Sequence, residues 1–190
     1  MTDVRNIQLK SWKRLGCDGA YLQLRGLEGI TGVYVGKLGA GASTQPERHL
    51  YEKVIFILQG EGVAEIQQRD RVPQNIQWRA DSLFSPPMNT LHRLMNYSNE
   101  PALFLAITTA PMALDHYHNE QFVFNSDFSF NDRYDAEAEL FRAAPRTLIS
   151  RPTTGNGFGK PTLFPTFAKP RSTPKSRKAR GQSHSIRNFQ

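Results

Sequence analysis

Hydrophobic positions between residues 20 and 110 occur in short runs of four to eight residues, bounded mostly by glycine, proline, asparagine or aspartate. Runs of this length and spacing predict β-strands. The predicted strands are residues 20–24, 31–38, 54–58, 63–67, 75–78, 82–85, 91–96 and 102–108. No window in this region repeats its apolar positions with the 3.6-residue period of an amphipathic helix. Many short strands without helices between them predict an all-β fold class, an antiparallel sandwich or barrel.

Charge divides the 190-residue chain into two parts with different compositions. Residues 1–141 carry 13 Lys+Arg and 17 Asp+Glu, whereas residues 142–190 carry 11 Lys+Arg and no acidic residue. The formal net charge of +7 therefore describes a mildly acidic body followed by a basic tail. Because the tail is rich in Pro, Gly, Ser and Thr and poor in branched apolar residues, we expect it to be mostly disordered.

The predicted domain organisation follows from these two patterns. Residues 1–144 form a barrel with an N-terminal arm and a short C-terminal helix over residues 135–142, and residues 145–190 form a basic Pro/Gly/Ser-rich linker or tail. A weak electrostatic contact of the tail with nucleic acid is the alternative to a solvated extension. No aromatic side chains interleave with the basic run at residues 169–180, so it offers no stacking platforms for bases.

Cysteine content and hydropathy bear on the cellular compartment. The single cysteine, Cys17, excludes an intramolecular disulfide and a multi-cysteine zinc site. No stretch approaches the ~20 apolar residues of a membrane-spanning helix, and residues 1–14 lack the apolar core of a signal peptide. We therefore expect a cytoplasmic protein with no membrane partner.

Two segments carry candidate site residues at a regular spacing. The first, GASTQPERHLYEKVIFILQG at residues 41–60, contains Glu47, His49 and Lys53. The second, DSLFSPPMNTLHRLMN at residues 81–96, contains His92. Together the segments resemble the two sequence motifs of the cupin superfamily, and the resemblance covers residues 20–110. Asp81 and Asn89 stand where the family has glycine, and asparagine tolerates the positive φ that a turn glycine supplies.

The resemblance implies a cupin-type double-stranded β-helix, or jelly-roll, barrel. In metal-binding cupins, two histidines and a glutamate of the first motif join the histidine of the second around Fe(II), Mn(II), Ni(II) or Zn(II). The run HLYEK before the first motif's strand also resembles the N-terminal unit of two-cupin (bicupin) proteins. On that interpretation, residues 145–190 are an inter-unit linker and the closing SIRNFQ begins a second unit.

The candidate ligand set departs from the family's pattern at two of four positions. His49 and His92 occupy histidine positions, while Glu47 stands at the first-histidine position and Lys53 at the glutamate position. Glu47 can serve as a ligand because a carboxylate is an acceptable hard donor. Lys53 as a cation would oppose metal binding, or it would point outward, form an ion pair, or bind an anionic substrate. Glu52 can replace the motif glutamate only if the strand register shifts by one residue.

These residues support two functional hypotheses. The first is a metal-dependent oxidoreductase of the dioxygenase type that acts on a small anionic organic molecule, with metal ligands drawn from Glu47, His49, Glu52 and His92 and with Lys53 as a substrate-binding residue. The alternative is a non-catalytic cupin half of a bicupin with a degenerate metal site, serving a binding or structural role. The resemblance also implies a small-molecule ligand in the barrel and a homodimer.

Weaker candidates lie after the last predicted strand. His116 and His118 form an H-x-H pair that we interpret as part of a surface loop, with a second metal pair as the alternative. The alternating phenylalanines of QFVFNSDFSF, residues 121–130, are interpreted as an apolar cap.

Overall fold

Apolar and polar positions that alternate along a segment produce a β-strand with one face directed toward the core. The computed structural model describes residues 3–136, and nine strands lie among them. The strands are β1 (Lys10–Trp12), β2 (Cys17–Leu22), β3 (Gly32–Leu38), β4 (Lys53–Gln59), β5 (Glu61–Gln67), β6 (Gln74–Arg79), β7 (Leu83–Phe84), β8 (Leu91–Asn96) and β9 (Ala102–Thr108). Each of the eight predicted strands has a counterpart in this set, and β1 is the additional strand.

The strands form two antiparallel sheets. One has six strands in the order β1-β2-β3-β9-β4-β7, and the other has three strands in the order β6-β5-β8. Every pairing between named strands is antiparallel. Strand β3 pairs with β9 and β5 pairs with β8, so neighbouring strands come from distant parts of the chain, as in a jelly roll. The prediction of an all-β fold is confirmed for the described residues.

The core lies between the two sheets. In β4 the buried positions alternate, so Lys53, Ile55 and Ile57 face inward, and in β8 His92 and Leu94 do the same. Because side chains two residues apart share one face of a strand, the same alternation that buries isoleucines also carries Lys53 and His92 into the interior. Polar groups inside the barrel are therefore placed by the hydrophobic pattern of their own strands.

The two positions at which the family has glycine adopt left-handed backbone. Asp81 has a φ of 67° and Asn89 has a φ of 59°. Asn89 also donates hydrogen bonds from Nδ2 to the carbonyl oxygens of Ser126, at 3.0 Å, and Phe128, at 2.6 Å. The tolerance of asparagine for positive φ is confirmed, and its amide in addition holds a later segment of the chain against the barrel.

Two short helices follow β9, contrary to the expectation of a loop. They are α1 (Ala110–Tyr117) and α2 (Glu120–Asn125), and a single 3₁₀ turn covers Val4–Asn6. Pro111 stands in the first turn of α1, and the side chain of Asn119 caps α2 by accepting a hydrogen bond from the Phe122 backbone N–H at 2.9 Å. Eight and six residues are too few for a clear helical period, so the local signals are the proline in the first turn of α1 and the Asn119 cap of α2.

Several predictions fall on residues beyond this range. The predicted helix over residues 135–142 lies outside the described residues from 137 onward, and at Ala136 the φ of 57° is not helical. The proposed boundary at 144 and the basic tail of residues 145–190 lie outside them altogether. Within residues 3–136, no helix is long and apolar enough to cross a membrane.

Candidate metal centre

The two motifs meet at one edge of the three-stranded sheet. Glu47 and His92 form an isolated antiparallel bridge, in which each backbone N–H donates to the other residue's carbonyl oxygen at 2.9 Å. His49 follows Glu47 by two residues, so its side chain can reach the same space. The ligand atoms of Glu47, His49 and His92 all lie within 4.8 Å of one another. Three of the residues predicted for a metal site are thus brought together.

Both imidazole rings are oriented by backbone carbonyl groups. His49 Nδ1 lies 2.9 Å from the carbonyl oxygen of Tyr51, and His92 Nδ1 lies 3.0 Å from that of Thr90. A carbonyl oxygen only accepts hydrogen bonds, so each Nδ1 carries a hydrogen, and the neutral form of each ring has its lone pair on Nε2. This is the arrangement in which a histidine side chain coordinates a metal ion through Nε2.

His49 is held in an apolar environment. Its ring stacks on Tyr51 with the centroids 3.8 Å apart, and the rings of Tyr51 and Phe124 of α2 are nearly perpendicular with their centroids 6.0 Å apart. Burial first, and then the positive charge of Lys53, holds the pKa of His49 well below its ordinary value. The imidazole is therefore neutral at physiological pH. Its Nε2 is buried and has no hydrogen-bond partner among the described residues.

Lys53 projects into the same space from the first position of β4. Its side chain is 1% exposed, and Nζ forms an ion pair with Glu47 Oε1 and lies 3.5 Å from His92 Nε2. Of the alternatives drawn from the sequence, the structure thus shows an inward lysine paired with Glu47. Burial lowers the pKa of Lys53, while the Glu47 carboxylate opposes that shift. Burial alone would raise the pKa of Glu47, but Lys53 and then His92 hold it well below its ordinary value.

Glu52 lies outside the cluster. Its side chain is 54% exposed, and Oε1 is 3.4 Å from Arg133 Nη1. The register of β4 against β9 pairs Lys53 with Thr108, so the one-residue shift that would turn Glu52 inward does not occur. The expectation that Glu52 could take the place of the motif glutamate is corrected for this reason.

The donor set can be tested against the needs of a divalent transition ion. Two imidazole Nε2 atoms and one carboxylate match the two-histidine, one-carboxylate set of non-haem metal sites. The partnerless, buried Nε2 of His49 supports this fit, because buried polar atoms otherwise have partners. Lys53 is the one feature that opposes it, because its ammonium already contacts the carboxylate. The three side chains thus offer a suitable donor set, and the Lys53 ammonium stands against the carboxylate that an ion would use.

Two residues near the cluster, Arg14 and Tyr51, were not singled out from the sequence. Arg14 Nη2 lies 3.8 Å from Glu47 Oε2, and its guanidinium carbon lies 4.6 Å from the centre of the Phe124 ring. Tyr51 stacks on His49, as described above. These contacts join the N-terminal arm, the first motif and α2, and no sequence signal at the individual residues reveals them.

The weaker candidates do not form a second centre. His116 stands in the last turn of α1, and His118 is the exposed residue that ends it. Among residues 3–136, the cluster of Glu47, His49 and His92 is the only group of three metal-ligating side chains that lie close together. The phenylalanine-rich segment contributes Phe124 to the apolar cover of Tyr51, so the predicted apolar cap is found in part.

Comparisons with known proteins give fold-level likenesses. No protein-family model and no curated protein matches the sequence. A predicted oxalate decarboxylase from Thermotoga maritima matches at 18% identity and a TM-score of 0.49, over 57% of this chain and 97% of that chain. The cupin domain of Schizosaccharomyces pombe Cnp3 matches at 16% identity and a TM-score of 0.47, over 60% of this chain and 72% of that one.

A third likeness is to an enzyme of known activity. A salicylate 1,2-dioxygenase from Pseudaminobacter salicylatoxidans matches at 19% identity and a TM-score of 0.45, over 53% of this chain. The match spans 29% of that chain, and a match to an oxalate decarboxylase spans 26% of its chain. At these identities the likeness concerns the fold alone. The described residues themselves form two antiparallel sheets, and residues of both motifs meet in one cluster.

Proposed function

We propose that Glu47, His49 and His92 bind one divalent transition ion, Fe(II), Mn(II), Ni(II) or Zn(II). The observation that carries the proposal is the convergence of the two histidine Nε2 atoms and the Glu47 carboxylate within 4.8 Å. The hydrogen bonds from both Nδ1 atoms to backbone carbonyl groups support it, because they leave the Nε2 lone pairs free to coordinate. The two histidines are buried, so little water can reach their Nε2 atoms and compete with a metal ion.

The activity we propose is that of a metal-dependent oxidoreductase of the dioxygenase type, acting on a small anionic organic molecule. When bound, the metal supplies a Lewis-acid centre and, where it is redox-active, an electron for reaction with O₂. Arg14, whose side chain is 48% exposed beside Glu47, is placed to attract the substrate's negative charge. Lys53, once separated from Glu47, adds a second cation for a substrate carboxylate.

Metal analysis of protein purified without a histidine tag tests the proposal. We expect about one equivalent of metal per chain after anaerobic loading with Fe(II), together with a rise in melting temperature. The variant His49→Gln should lose both effects, while His116→Gln, which alters an exposed histidine, should keep them. Absence of stoichiometric metal in the wild-type protein would contradict the proposal and favour the non-catalytic bicupin half.

Measurement of oxygen uptake tests the proposed activity separately from metal binding. Fe(II)-loaded protein is supplied with a panel of small aromatic and aliphatic carboxylates in an oxygen electrode. We expect uptake with at least one member that depends on loading and is absent in His92→Gln. Loading without uptake across the panel would retain the metal site and reject the dioxygenase activity for those substrates.

A further inference from the structure

The ammonium group of Lys53 occupies the position in which a bound cation would contact the cluster. Nζ forms an ion pair with Glu47 Oε1 and lies 3.5 Å from His92 Nε2, while Glu47 Oε1 itself lies 3.6 Å from His92 Nε2. The lone pair of His92 Nε2 is directed to this space because Nδ1 donates to the Thr90 carbonyl oxygen. The lysine and a metal ion would therefore use the same two acceptors.

The interior offers this ammonium few other partners. Its side chain is 1% exposed, so water does not solvate the charge at Nζ. The Tyr34 ring also faces the ammonium, with 5.9 Å between Nζ and the ring centre. A cation that leaves Glu47 can keep part of its stabilisation through a cation–π contact there. The lysine can thus yield the carboxylate without leaving the barrel.

Charge balance sets the two cations against each other. Lys53 and Glu47 form a buried ion pair whose charges cancel. A divalent ion placed against the same carboxylate would stand within a few ångströms of the ammonium, in a region where repulsion is poorly screened. The ammonium and a metal ion therefore cannot both interact strongly with the Glu47 carboxylate.

We propose that Lys53 is a tethered competitor for the metal: its ammonium fills the cation position of the metal-free barrel, and metal binding must displace it. The inference rests on the proposed metal site, and it deepens that proposal by assigning the motif's lysine a role in metal affinity. Removal of the ammonium should therefore strengthen metal binding, which is the opposite of the result for a lysine that supports the site.

The test measures Zn(II) affinity by competition with a chromophoric chelator for the untagged full-length chain. We expect Lys53→Gln and Lys53→Met to bind Zn(II) at least about tenfold more tightly than the wild-type protein. Lys53→Arg, which keeps the charge, should show no such gain. Lys37→Met, which removes an exposed lysine from β3, is the matched control and should leave the affinity unchanged. Two neutral replacements guard against one that fails to fold.

The outcomes separate this inference from the proposed function. Equal Zn(II) affinity in the wild-type protein, Lys53→Gln and Lys53→Met would overturn the competition while the metal site stands. Binding by the neutral variants but not by the wild-type protein would support complete competition and reject the metal-dependent function of the natural chain. Absence of binding in all folded variants would overturn both.

Discussion

Replacement of Lys53 by methionine should destabilise the metal-free protein strongly. The two side chains of the Lys53–Glu47 pair are 1% and 14% exposed, so the variant leaves a carboxylate inside the barrel without its main counter-charge. Breaking a buried ion pair from one side costs about 3–5 kcal/mol. The residual contact of Glu47 with Arg14, at 3.8 Å, places the expected loss toward the lower end, about 3 kcal/mol. Urea unfolding in the presence of EDTA, followed by tryptophan fluorescence, measures it.

The second arm of this experiment removes both charges. The double variant Lys53→Met with Glu47→Leu should recover most of the loss, because a buried pair replaced by apolar groups of similar volume is often neutral or stabilising. Arg69→Met serves as the surface control. Its partner Asp127 lies 3.1 Å away, and with the two side chains 45% and 81% exposed the change should cost about 1 kcal/mol or less. A loss below about 1 kcal/mol for Lys53→Met would refute the buried pair.

Further predictions concern groups away from the Lys53–Glu47 pair. Burial raises the pKa of Cys17 to about 11. Iodoacetamide at pH 8 should therefore alkylate the folded protein at no more than about one tenth of the rate for the urea-unfolded protein. Equal alkylation rates in the folded and unfolded protein would contradict the buried position of the Cys17 thiol. Asn89→Ala should lower the free energy of unfolding by about 2–4 kcal/mol, because it removes two hydrogen bonds and leaves alanine at a φ of 59°. Asn89→Gly should cost less, and the reverse order would exclude the backbone contribution. Ile57→Ala, at 1% exposure, should cost about 2–5 kcal/mol, against about 0.5 kcal/mol for Ile107→Ala at 42% exposure. Similar decreases in the free energy of unfolding for these two variants, measured by urea unfolding, would show that the inward face of β4 is assigned wrongly.

Much of the fold could be predicted because its signals are local. Strands such as β4 and β9 are apolar runs bounded by turn residues, and both motif positions that lack glycine still adopt positive φ. The meeting of His49 and His92 was implied by the resemblance of the two segments to the cupin motifs, and the structure brings the two side chains together. Strand β1 was missed because three residues are too short for a period to be visible.

The site was only partly predictable because its decisive contacts join distant parts of the chain. The choice of Lys53 between an outward and an inward position depends on the register between β4 and β9, which spacing alone leaves open. The same register excludes Glu52. The stack of Tyr51 on His49, with Phe124 of α2 at its edge, requires knowledge of how α2 returns to the barrel. The helices α1 and α2 are too short to give a periodic signal from which that return could be inferred.

The metal centre is tested most directly by the X-ray absorption spectrum of the untagged chain loaded with Zn(II). Two imidazole ligands and oxygen donors are expected in the wild-type protein, because His49 and His92 both present Nε2 to the site beside Glu47. The variant His49→Gln should lose one imidazole contribution, while His116→Gln should give the wild-type spectrum. A spectrum with fewer than two imidazoles in the wild-type protein, or one unchanged in His49→Gln, would contradict a metal centre built from these residues.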